Sequence, residues 1–202
     1  MNNDLENCLL AIKQEILALS KSPLYDYRLK SGNFPVIGEG NHRANLMLVG
    51  EAPGKNEALT GRPFCGQAGR ILDELLLSIS LKRDDIYITN IVKDRPPANR
   101  DPLPEEIEIY APFLERQINL IKPKIIAGLG RFSSTYLIEN FSQLNNIGTI
   151  SQIHGRLFPG QAEYGAITII PLYHPAAAIY NPNLKDVLRV DFEHLAECLN
   201  SS

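Results

Sequence analysis

Apolar residues recur at three- and four-residue steps through Leu5, Leu9, Ile12, Ile16 and Leu19, the spacing that lays one apolar stripe along a helix. This spacing predicts a helix over 5–19. A second stripe, Ile71, Leu72, Leu75, Leu76 and Ile79, predicts another over 68–80. Pro104-Glu105-Glu106 opens a third, since proline suits a first helical turn and acids suit the positive end of the helix dipole. A last helix is expected over 184–199. Between these lie short apolar runs of another kind: Leu46-Met47-Leu48-Val49, Ile86-Tyr87-Ile88-Thr89, Ile125-Ile126-Ala127 and the Ile- and Thr-rich stretch 166–172. Continuous runs of this length read as strands buried on both faces. Residues 20–43 read as a long irregular connection punctuated by Pro and Gly.

Strands alternating with helices imply right-handed crossovers and a mostly parallel sheet covered on both faces, an α/β fold. Its 202 residues suit one domain spanning 1–202 with a substantial core. In such sheets ligands sit beyond the carboxyl ends of the strands. Gly50-Glu51, Asn90 and His174 fall at or just past such ends, which is a geometric reason to place them in one site.

The composition, 44% hydrophobic and 21% charged, is that of a globular protein. No apolar run approaches the roughly 18 residues that cross a membrane. The polar start Met1-Asn2-Asn3-Asp4 is unlike a secretory signal, so the expected location is cytoplasmic, with no membrane partner. A net charge of −3 argues against a large non-specific nucleic-acid footprint but leaves room for a local patch facing a few phosphates. Cys8, Cys65 and Cys198 match neither a disulfide framework nor a metal-ligand pattern. No two of the four histidines are spaced as a metal pair, which excludes a zinc deaminase.

Four segments carry candidate chemistry. The turn Gly50-Glu51-Ala52-Pro53-Gly54 exposes successive backbone N–H groups, and Glu51 is placed to polarise a water or stabilise positive charge; Glu57 is a weaker candidate for the same cavity. In Gly61-Arg62-Pro63-Phe64-Cys65-Gly66, Phe64 lies outside any apolar period, so it reads either as a ring that stacks on a planar ligand or as a plug against the core. Asn90 offers one acceptor and two donors, a match for O4 and N3–H of uracil, and an amide held by its own hydrogen bonds would reject cytosine. Its alternative role is to satisfy the loop backbone. His174-Pro175 leaves a strand sharply; a donor there would stabilise charge on the O2 of a departing base. Gly128-Leu129-Gly130-Arg131-Phe132-Ser133 imitates a dinucleotide fingerprint, but Ser133 stands where the third glycine belongs.

These segments, with Tyr87-Ile88-Thr89-Asn90-Ile91-Val92-Lys93, Arg95-Pro96-Pro97, Asn99-Arg100, Pro104-Glu105-Glu106-Ile107, His174-Pro175-Ala176 and Asn181-Pro182, make the chain resemble the family 4 uracil-DNA glycosylases from about residue 23 to the last helix. The resemblance implies a three-layer α/β/α fold with a four-stranded parallel central sheet. It implies monofunctional removal of a flipped uracil from DNA, leaving an abasic site, by a monomer. Under it Glu51, His174 and Asn90 are catalytic. Gly50, Ala52, Glu57 and Phe64 line the base pocket together with Asn90 and His174. Arg95, Pro96, Ala176, Ile179 and Tyr180 contact DNA, with Ile179 as the wedge that enters the duplex. Members of the family also hold a [4Fe–4S] cluster on four cysteines. Leu19, Ser22, Asp94 and Tyr110 stand at those positions here, and none can replace a thiolate. The expectation is therefore no cofactor and no metal. The departure keeps a second reading open, a non-catalytic module that binds uracil or abasic sites in DNA.

Overall fold

The computed structural model describes residues 2–201, with side chains from residue 4 onward. Its strands are β1 (Glu39–Gly40), β2 (Leu46–Gly50), β3 (Tyr87–Asn90), β4 (Ile125–Leu129), β5 (Phe158–Ala162) and β6 (Gly165–Leu172). Its helices are α1 (Asn2–Leu17), α2 (Tyr25–Ser31), α3 (Lys55–Thr60), α4 (Gln67–Ser78), α5 (Pro104–Ile121), α6 (Arg131–Leu137), α7 (Ile150–Ile153), α8 (Ala177–Tyr180) and α9 (Leu184–Asn200).

The strands form one mixed sheet in the order β1-β3-β2-β4-β6-β5. β3, β2, β4 and β6 run parallel, while β1 pairs with β3 and β5 with β6 antiparallel. The expected four-stranded parallel sheet is thus corrected to a six-stranded mixed one. The two additional strands carry little signal. β1 is two residues long, and β5 reads Phe-Pro-Gly-Gln-Ala, with Pro and Gly where a strand usually has branched residues. Residues 20–43 likewise hold α2 as well as β1, and the first helix ends at Leu17 rather than at Leu19.

Alternation along the strands divides the core. Leu46, Leu48, Ile88, Ala127 and Ile170 face one side and meet Leu72, Leu75 and Leu76 of α4 and Leu188, Phe192 and Leu195 of α9. Met47, Val49, Tyr87, Ile126 and Ile169 face the other and meet Leu114, Ile118 and Ile121 of α5 and Leu137 of α6. Both faces are therefore covered, as parallel strands require. α1 packs Leu9, Ile12 and Ile16 against Tyr110 and Phe113 of α5, away from the sheet. Among the described residues no helix is long and apolar enough to cross a membrane.

This architecture places the carboxyl ends of β2, β3 and β6 at the same edge of the sheet, with β4 between β2 and β6. Gly50 is the register partner of Asn90. Beyond that pair the loops stay zipped, Ile91 N–H donating to the Gly50 carbonyl and Val92 N–H to the Glu51 carbonyl, both at 3.0 Å.

Candidate active site

A cleft of about 630 Å³ opens above these strand ends. Glu51, Ala52, Glu57, Phe64, Asn90, Pro96, His174, Ala176 and Tyr180 all line it. Of the residues expected at the site, Gly50, Arg95 and Ile179 do not. Gly50 lies beneath the lining, where a β-carbon would collide with Asn90 Oδ1 and the Phe64 ring. Its role is to let those two side chains approach. Arg95 donates from Nε to Oδ1 of Asn99, which does line the cleft, at 2.6 Å. Ile179 is half-buried, whereas Tyr180, at the rim, is 87% exposed.

Phe64 is held in an unusual conformation. Its φ of 48° lies in the left-handed region, which costs a side-chain-bearing residue about 1 kcal/mol. Arg83 opposes that cost by donating to the carbonyls of Pro63 and Phe64 while its other bonds reach Asp73 and Glu39. Glu57 Oε1 accepts the N–H groups of Cys65 and Gly66 at 3.1 and 3.0 Å. Gly69 completes the device, because a β-carbon there would run into the Phe64 carbonyl. The ring is 5% exposed and stacks on His174, centroids 5.5 Å apart and planes 29° apart. It is thus both buried and part of the cleft wall. Glu57 serves chiefly to fix this loop.

The His174 imidazole has a readable tautomer. Its Nδ1 accepts the Ala176 N–H at 3.1 Å, so in the neutral ring the proton sits on Nε2. Burial lowers its pKa to about 4, against a smaller raising effect from Glu57. At neutral pH His174 is therefore an uncharged donor through Nε2, which has no partner among the described residues.

Asn90 is 2% exposed, yet its side-chain amide makes no hydrogen bond to any described residue. The expectation that its own hydrogen bonds orient the amide is corrected here; packing against Gly50 confines it. Glu51 is half-buried and its carboxyl also has no hydrogen-bond partner among the described residues. Burial raises its pKa to about 7, with Asp101 adding to the effect and Arg131 opposing it. Asn56, Asn99, Arg100 and Asp101 also line the cleft. Asn56 lies in the short helix α3 and the other three in the irregular segment before α5, and only the Asn99-Arg100 motif hinted at them. The fingerprint-like glycines have a steric explanation. Gly128 lets Ser134 of α6 pack on β4, and Gly130, at φ 98°, lies against His174.

Behind the cleft wall lies a second buried polar group. Ser22 Oγ and Tyr110 Oη are 2.9 Å apart, Tyr110 donates to Asp94 Oδ2 at 2.6 Å, and Arg28 Nη1 reaches the same oxygen at 2.9 Å. Arg28 also donates to the carbonyls of Ile16 and Leu17, so it caps the C-terminus of α1. Burial pushes the Asp94 carboxyl up, and Tyr110 and Arg28 pull it back. Ser22, Asp94 and Tyr110, with the buried Leu19 alongside, occupy the positions at which the resemblance places cluster cysteines. Two hydroxyls, a carboxylate bonded to arginine and a leucine do not fit an iron–sulfur cluster, whose irons need thiolates.

An open α/β sheet with an unpartnered amide and a neutral imidazole donor at its strand ends, and a phenyl from the α3–α4 loop stacked on that imidazole, makes a cleft able to hold a flat, polar ring. Residues 37–199 match the Uracil DNA glycosylase superfamily, and the chain belongs to it. It is 43% identical to the type-4 uracil-DNA glycosylase of Sulfurisphaera tokodaii, over 92% of this chain and 82% of that one. It is 41% identical to that of Archaeoglobus fulgidus, over 92% and 90%, and 42% identical to that of Saccharolobus solfataricus, over 94% and 86%.

Proposed function

We propose that the chain, acting as one domain and as a monomer on uracil-containing DNA, hydrolyses the N-glycosidic bond of flipped deoxyuridine and leaves an abasic site. The observation that carries this reading is the set of polar groups at the cleft floor that are buried or half-buried yet unpartnered. The Asn90 amide faces the cleft without a protein partner, and a ligand that supplies both an acceptor and a donor pairs it there. Uracil does so through O4 and N3–H; cytosine reverses both, and its rejection requires that the amide keep the orientation in which Oδ1 lies against Gly50.

The chemistry follows from the geometry. Phe64 stacks on the base. As the C1′–N1 bond breaks, its electron pair passes to the base and negative charge collects on O2, where His174 Nε2–H is placed to donate. A neutral imidazole suits this task, because it gives a hydrogen bond without first giving up its proton. Water adds to C1′ as its proton passes to Glu51, whose pKa of about 7 lies near the best value for a general base. Base flipping exposes the substrate, and the exposed Tyr180, rather than Ile179, fills the gap it leaves. Arg95, tied to Asn99, shapes the Pro96 loop at the DNA edge and acts on DNA through it.

The test is single-turnover incubation with labelled oligonucleotides carrying one uracil or one cytosine, followed by alkali. Alkali-dependent cutting at uracil alone is expected. Tight binding without cutting would instead identify a uracil- or abasic-site binding module.

A further inference from the structure

Lys93 is fully buried, at 0% exposure, on the chain just past Asn90. Its Nζ lies 2.7 Å from Thr89 Oγ1, 2.7 Å from the Asn90 carbonyl and 2.6 Å from Gln117 Oε1. No carboxylate pairs with it among the described residues. The direction of each bond is fixed by its neighbours. A carbonyl only accepts. Thr89 donates its one hydroxyl proton to the Ile37 carbonyl at 2.8 Å. Gln117 turns Nε2 toward Ile37 O and Tyr87 Oη, which leaves Oε1 as the acceptor for lysine. With the Thr89 proton on the Ile37 carbonyl, all three contacts draw protons from Nζ, and three donors make an ammonium, the state assigned to Lys93.

We propose that Lys93 is a charged positioning residue for uracil excision. Its ammonium pins the peptide that carries Asn90 and sets an uncompensated positive charge behind the side chain that reads the base. A structural lysine in a core would normally be paired or replaced by an apolar residue, because an unpaired buried charge is expensive. Burial pulls its pKa well below the lysine range, so an ammonium persists there only through hydrogen bonds to its charged form. The position gives the cost a use. Fixed charges in a water-poor site act strongly on charge that develops during reaction, and here that charge is the anion of the departing base. The effect passes through the Asn90 peptide, so Lys93 touches no reacting atom.

This inference rests on the excision reading, and the experiment separates the two. Lys93→Met and Gln117→Glu are compared with the unaltered protein on oligonucleotides carrying uracil or 5-fluorouracil, in single turnover, with DNA affinity measured alongside. Met keeps the chain length without charge, and Glu sets a neutralising carboxylate against the ammonium if the Met variant does not fold. The expected result is a roughly 10–100-fold slower uracil excision, DNA affinity changed less than about threefold, and a clearly smaller loss on 5-fluorouracil, whose anion leaves more easily. A general loosening of the fold would slow both bases alike, and that outcome, or an unchanged uracil rate in a folded variant, overturns the role of Lys93. Absence of excision by the unaltered protein overturns the proposed function itself.

Discussion

The cleft floor and the Arg28–Asp94–Tyr110–Ser22 group are both buried and polar, and they are built on opposite principles. Behind the cleft every polar side chain has its partner, and Asp94 alone accepts from Arg28 and Tyr110. In the cleft the Asn90 amide, the Glu51 carboxyl and His174 Nε2 have none among the described residues. Buried polar groups in folded proteins are nearly always paired. Asn33 Nδ2, Asn119 Oδ1 and Ser142 Oγ are also buried without a partner, so it is the convergence of three unpartnered groups on one cleft that marks where a ligand completes the bonding. Lys93 stands between the two, saturated in hydrogen bonds but without a counter-charge.

Substitutions should separate the regions by what they disturb. The largest effect is expected from Asp94→Ala, which leaves Arg28 buried without its carboxylate; breaking such a pair costs about 3–5 kcal/mol. Denaturant unfolding should show this loss, while the excision rate per folded molecule stays near that of the unaltered protein. Next, His174→Ala should slow uracil excision about 10²–10³-fold, as loss of a single charge-stabilising donor does, with little change in denaturation midpoint.

Glu51→Gln should cost on the order of 10²-fold and remove a pH limb. A base must be ionised, so the unaltered protein should excise faster as pH rises through about 7 and then level off, whereas the Gln variant should be flat. Stability runs the other way. The folded state holds the Glu51 proton more tightly than the unfolded chain does, its pKa raised from the ordinary carboxylate value of 4.5 to about 7. Its contribution is therefore full below the unfolded value and lost as pH rises through about 7. Melting curves across that range should show the slope in the unaltered protein and not in Glu51→Gln. Phe64→Ala should lose about 1–3 kcal/mol of base binding, read as weaker affinity for uracil-containing strands. Purified protein should carry no stoichiometric iron or sulfide, since Ser22, Asp94 and Tyr110 already saturate one another.

Much of this contrast was legible in the chain. The continuous apolar runs located β2, β3, β4 and β6 because strands buried on both faces have no polar alternation. Gly50-Glu51, Asn90 and His174 stand at or just past strand ends, which pointed to the cleft from the sequence alone. What stayed hidden depended on contacts distant in sequence. β1 and β5 are edge strands defined by their partners, and α2 lies in a segment without a long apolar stripe. Ile179 and Tyr180 are adjacent, and only the packing of the 177–180 turn shows which one projects. Leu19, Ser22, Asp94 and Tyr110 could be recognised as lacking thiolates. That three of them form a hydrogen-bonded set with Arg28 could not, because nothing in the sequence joins position 28 to position 94. Lys93 closes the motif that begins at Tyr87, and its burial beneath Asn90 depends on Gln117, which is distant in sequence.

The most direct test of the contrast is the rate of uracil release in a single turnover by Asn90→Ala, set beside Asp94→Ala and the unaltered protein at matched folded concentration. The account predicts that Asn90→Ala loses most of its excision while folding at least as firmly, and that Asp94→Ala keeps its rate while losing stability. Full excision by Asn90→Ala, or a collapse of rate in folded Asp94→Ala, would contradict it.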